Sequence, residues 1–61
     1  MTSETELHVI ARQMFEKRGP EAIAHAARNA LASERKGDAE EAKDWRHIED
    51  AMKMMRGPHQ S

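Results

Sequence analysis

The chain has no cysteine, which excludes a disulfide framework and any thiolate metal site. Tyrosine is also missing, and a single tryptophan and a single phenylalanine leave little aromatic surface for stacking bases or sugars. No apolar run approaches the roughly 18 residues that a membrane span needs. Neither sign of charge dominates. Ten Lys and Arg side chains stand against eleven Asp and Glu, for a formal net charge of −1, so no global field draws the chain to nucleic acid or to an anionic membrane. Strand signals are absent too, with no alternating run and only one valine, Val9. The opening Met1-Thr2-Ser3-Glu4-Thr5-Glu6 is acidic where a secretory signal would be basic. A cytoplasmic location is the expectation.

What is present is clear punctuation. Sixty-one residues allow one domain with a thin core, because a chain this short hides only about 60% of its extended surface on folding. Ser3 and Glu6 have the spacing of a capping box, so a helix is predicted from Glu4 to Arg18. Gly19 is expected to close it in the left-handed conformation, and Pro20 to occupy the first position of the next helix. That second helix is predicted over 20–36 and ends at Gly37. Asp38 is the expected N-cap of a third helix over 39–56, with Glu41 completing a second box-like pair and Gly57-Pro58 stopping it. Acidic residues (Glu4, Glu6, Glu21, Asp38, Glu40, Glu41) gather near helix starts, and Lys17, Arg18, Arg35, Lys36, Lys53 and Arg56 near helix ends. Each placement complements the helix dipole. The domain plan is therefore an N-terminal cap over 1–3, one helical domain over 4–56 and a disordered tail over 57–61.

At about 100° per residue the apolar side chains collect on one side of each helix. Leu7, Ile10, Ala11 and Met14 form the first stripe, with Phe15 at its margin. Ile23, Ala26, Ala27, Ala30 and Leu31 form the second, and Ala42, Trp45, Ile48, Met52 and Met55 the third. The alanine-rich middle helix invites close approach, with Trp45 expected across Ala27 or Ala30. Short connections make consecutive helices neighbours. Gly19-Pro20 is tight enough to set the first two at a steep angle, whereas Gly37-Asp38 lets the second and third pack antiparallel. The fold class is all-α: a small three-helix domain, with packing as a homodimer one option for hiding its remaining apolar surface.

The segment Gly37-Asp38-Ala39-Glu40-Glu41-Ala42-Lys43-Asp44-Trp45-Arg46-His47-Ile48 follows the Ala-rich run Ala22-Ile23-Ala24-His25-Ala26-Ala27. Over roughly residues 10–52 the chain resembles short, uncharacterised all-helical proteins of alphaproteobacteria that carry a G-D-x-E-x-A-x-x-W-x-x-I pattern. The resemblance implies a bacterial cytoplasmic domain, and it supplies no catalytic residue, ligand or partner.

Chemistry-bearing residues are scattered. His8, His25, His47 and His59 include no i,i+4 pair and no H-E-x-x-H, and His25 and His47 are expected to face away from their own core stripes. Glu40/Glu41 and Glu49/Asp50 are pairs without a dry cleft to work in, so they are read as helix-start charge and a solvated face. Ser3, Ser33 and Ser61 lack a neighbouring base. Gly19, Gly37 and Gly57 are helix ends, not a phosphate cradle. No catalytic residue, metal site, cofactor or small-molecule ligand is expected. A reading helix for DNA, with Lys43, Arg46, His47 and Lys53 outward, is opposed by Glu40, Asp44 and Asp50 on the same helix. Val9 falls nearly opposite the first stripe. Met54 falls opposite Trp45, beside Ala51. These apolar residues without a place in the core favour a non-enzymatic interaction module that binds itself or another protein. Its anchors would be Trp45, Ile48, Met52, Met54 and Met55 with Leu7, Ile10 and Phe15, and Met14, Ile23 and Leu31 complete the set expected as core or contact surface. A small DNA-binding regulator is the alternative.

Overall fold

Three helices follow one another as the spacing predicts: α1 (Glu4–Arg18), α2 (Glu21–Lys36) and α3 (Ala39–Met55). The structure is a computed structural model that describes residues 3–57. Met1 and Thr2 of the expected cap, and residues 58–61 of the expected tail, lie outside the described residues. No strand occurs among the described residues, and none of their helices is long and apolar enough to cross a membrane.

Each boundary has a physical cause. The α1 capping box is complete: Glu6 N–H donates to Ser3 Oγ and Ser3 N–H to Glu6 Oε1, both at 3.2 Å. At the far end Gly19 N–H donates to the Phe15 carbonyl at 2.7 Å. Its conformation differs from the expected left-handed helical one, with φ 66° but ψ −149°. The reason is Pro20, whose Cδ crowds the preceding amide and disfavours helical ψ. Gly19 turns instead through a region that is nearly glycine-only. Pro20 sits at the N-cap of α2, not inside it as expected, because the chain enters through tight three-residue turns. Ala22 N–H reaches the Gly19 carbonyl and Ile23 N–H the Pro20 carbonyl, each at 3.0 Å.

The α2–α3 corner is a Schellman motif. Gly37 adopts the left-handed conformation, Asp38 N–H donates to the Ser33 carbonyl at 2.9 Å and Gly37 N–H to Glu34 at 3.1 Å. Asp38 then caps α3 by accepting from Glu41 N–H at 3.1 Å. The reciprocal half of that second box is replaced by a longer-range bond. Glu41 Oε1 accepts from the Ser33 hydroxyl at 3.0 Å and lies 3.4 Å from Lys36 Nζ. This ties the last turn of α2 to the first turn of α3. The third helix closes one residue earlier than predicted, with Arg56 as its C-cap.

Packing is uneven. The α2–α3 contact is the most extensive, α1 lies chiefly on α3, and α1 meets α2 least. Leu7, Ala11, Ala22, Ile23, Ala26, Ile48, Ala51 and Met52 form the core, with Met14, Phe15, Trp45 and Met55 packed at its margin. Four expectations are corrected. Ile10 lies at the surface, because α1 turns Leu7 and Ala11 inward. Leu31 is about half exposed, because α2 presents its row of smallest residues, Ala22, Ala26, Ala30 and Ser33, to its neighbours. Ala51, expected outside beside Met54, is buried, because α3 is covered on two sides by α1 and α2. Glu49, expected on a solvated face, is buried too.

Among the described residues Met52 is the one large side chain with no exposure at all, so its truncation leaves a cavity in the core. Met52→Ala is expected to lower unfolding free energy by about 2–5 kcal/mol. Urea denaturation followed by Trp45 fluorescence measures it, and a loss below about 1 kcal/mol would contradict this packing.

Candidate functional site

Two surfaces carry features beyond those the fold needs. The first is polar and spans α2 and α3. Glu49, with its side chain 12% exposed, receives Arg46 Nη1 at 3.3 Å and Lys53 Nζ at 3.2 Å. Arg46 also reaches Glu34 of α2 through Nη2 at 3.5 Å. Burying a carboxylate is costly unless it is paired and hydrogen-bonded, and one cation a turn before it and another a turn after it on α3 meet that need. The heads of Arg46 and Lys53 are themselves about half exposed, so these pairs act as a modest clasp. Ser33, buried, donates its hydroxyl to Glu41. This surface joins helices.

The histidines are brought into tertiary contacts that their sequence spacing did not show. The rings of His8 and His47 stand edge to face at 6.2 Å, linking α1 to α3, and His47 Nε2 lies 3.8 Å from Glu4 Oε2. The His25 ring meets Trp45 edge to face at 6.5 Å. Half-buried, His25 and His47 serve as packing partners, not as the outward groups expected. Among the described residues no three His, Asp or Glu side chains stand together in a way that could hold a metal ion.

The second surface is apolar and follows α1. Val9 is 50% exposed and Ile10 36%, side by side on the outer face of the helix. An open groove of about 300 Å³ runs along one flank of this ridge, lined by Ile10, Gln13, Met14, Lys17, His25 and Trp45. A shallow depression bounded by Thr5, Glu6, Val9 and Ile10 adjoins it. On the other flank Val9 and Gln13 border a third hollow with His8, Arg12 and Met55. Val9, Ile10 and Gln13 are thus the crest between concave, partly apolar surfaces. Glu6 stands towards its N-terminal end and Lys17 towards its C-terminal end.

The anchors expected from sequence divide accordingly. Leu7, Ile23, Ile48 and Met52 are core, which removes them from any contact surface. Met14, Phe15, Trp45 and Met55 are marginal, and of these Met14 and Trp45 line the groove beside Ile10. Leu31 and Met54, the latter 78% exposed, line none of the grooves along α1. Gln13, Lys17 and His25 belong to the site and are not among the contact residues expected from sequence, where Lys17 is a helix-end charge and His25 a surface histidine. The signal was available in the i, i+4, i+7, i+11 spacing of Glu6, Ile10, Gln13 and Lys17, which places all four on one line of the helix. Comparison with family models, curated protein sequences and solved structures returns no match for this chain.

If Val9 serves a surface and not the core, removing its methyl groups costs the isolated fold almost nothing. Val9→Gln is expected to change stability by less than about 0.5 kcal/mol at low protein concentration, since glutamine is the better helix former. Leu7→Gln should unfold the domain. Thermal unfolding of both variants checks the contrast, and a large loss for Val9→Gln would place that side chain in the core.

Proposed function

We propose that the chain is a non-enzymatic, cytoplasmic protein-protein interaction module whose contact face is the outer surface of α1 with the adjoining Trp45 groove. The observation that carries this reading is the pairing of a raised apolar crest, Val9 and Ile10, with a groove at its side in which Ile10, Met14 and Trp45 stand among Gln13, Lys17, Arg18 and His25. Stray surface apolars are common and mean little singly. Here two adjacent ones border a recess containing an aromatic ring, and aromatic anchors in recesses are what protein interfaces use. Small flanking charges at either end supply orientation.

The same face suits proteins better than other ligand classes. Its groove is shallow and open, where small-molecule sites enclose most of their ligand. The DNA-reading alternative loses support from the ion pairs on α3. Arg46 and Lys53, two of the cations it would use, already face carboxylates, which lowers their attraction for phosphate.

Placing a benzophenone side chain at position 13 tests the proposal in the cells that make the protein. Irradiation is expected to yield discrete protein adducts from position 13 and none from position 28, an exposed site on α2. Val9→Glu with Ile10→Glu should abolish them. No adduct from position 13, or adducts unaffected by the two glutamates, would contradict the assignment of this face.

A further inference from the structure

Resting on that reading of the α1 face, we propose that its occupant is a second copy of the chain, docked antiparallel through α1 about a two-fold axis that passes between Ile10 and Gln13.

Glu6, Ile10, Gln13 and Lys17 repeat at i, i+4, i+7, i+11, the spacing of a coiled-coil seam, and all four are exposed. Laid against a reversed copy centred between Ile10 and Gln13, the line is complementary to itself. Glu6 stands opposite Lys17 of the second copy, Ile10 opposite its Gln13, and two-fold symmetry repeats both contacts. Val9 flanks the seam on one side, where this register sets it beside the methylene stem of Glu16 of the second copy and covers part of the most exposed apolar group of α1. Met14 and Trp45 lie on the other flank.

The charges choose the direction. A parallel arrangement would set Glu6 against Glu6 and Lys17 against Lys17, and like charges in register exclude it. The antiparallel one forms two opposite-charge pairs and opposes the two helix dipoles. Glu6 commits Oε1 to the Ser3 amide and has a second carboxylate oxygen for Lys17. Acidic starts and basic ends are common to all three helices; what favours a second copy is that one axis reverses Glu6 onto Lys17 and Ile10 onto Gln13 together. A seam of three turns is short against the 1,200–2,000 Å² of total buried surface typical of stable complexes (~800 Å² per partner), so the association is weak and depends on concentration.

Sedimentation equilibrium over about 10 µM to 1 mM reads the association directly. The purified chain is expected to move from monomer to dimer. Lys17→Glu should weaken dimerisation about tenfold or more by facing the Glu6 of the second copy with a like charge. Gln13→Ile should strengthen it by a similar factor, by placing isoleucines opposite each other at the centre. Because the chain has no cysteine, register can be read separately. An equal mixture of Ile10→Cys and Gln13→Cys should oxidise to the mixed disulfide faster than either variant alone oxidises with itself. Fastest oxidation of Ile10→Cys with itself would overturn the antiparallel arrangement. A monomer at every concentration, with Gln13→Ile without effect, would overturn the second copy as occupant. If photo-adducts from position 13 to another protein persisted in that case, the interaction face would stand and only its partner would change.

Discussion

The structure depends on how closely α2 can approach its neighbours. Ala22, Ala26 and Ala30 have no exposed surface, and with Ser33 they form a row of small side chains one to two turns apart along α2. A row of side chains this small lets the opposing helix approach closely. Met52, unbranched and adaptable, fills the space that results, beside Ile48. Much of the burial is therefore done by methyl groups.

That choice has a consequence for the rest of the molecule. A core lined with alanine on one helix has room for few large side chains, and the larger apolar residues beyond that number stay at the margin or outside. The α2–α3 hairpin is doubly fastened, by the Schellman corner with the Ser33–Glu41 bond and by the Arg46 bridge between Glu34 and Glu49. The first helix is attached mainly through Leu7 and Ala11, with the His8–His47 contact at its edge. Its opposite face is where Val9, Ile10 and Gln13 remain, bounded by charges of opposite sign. The proposed contact face is what the packing leaves over.

Element order and helix ends were legible because they rest on local chemistry. Ser3, Asp38 and Gly37 perform at their positions the roles that their residue types imply, and the boundaries shift by no more than a residue. Which residues face inward was legible only in part. Periodicity gives the direction of a stripe, but the rotation of a helix is set by its neighbours, so Leu31 and Ile10 went out while Ala51 and Glu49 came in. The burial of Glu49 depends on Arg46 and Lys53 closing over it, and of these only the i,i+4 spacing of Lys53 is local. The histidine contacts join distant parts of the chain, which no spacing rule reports. The G-D-x-E-x-A-x-x-W-x-x-I pattern also has a structural account here: Gly37 and Asp38 make the corner, Ala42 and Ile48 are buried, and Trp45 packs at the core margin. It describes how the third helix starts and seats itself.

The close approach along the alanine row is tested most directly by filling it. Ala26→Leu keeps a strong helix former and adds apolar volume, so on composition alone it should stabilise the domain. If α2 packs as described, the added carbons have no space, and urea denaturation should show a loss of about 1–3 kcal/mol or more. Unchanged or increased stability would mean that α2 and its neighbours stand further apart, and the account of the core would be wrong.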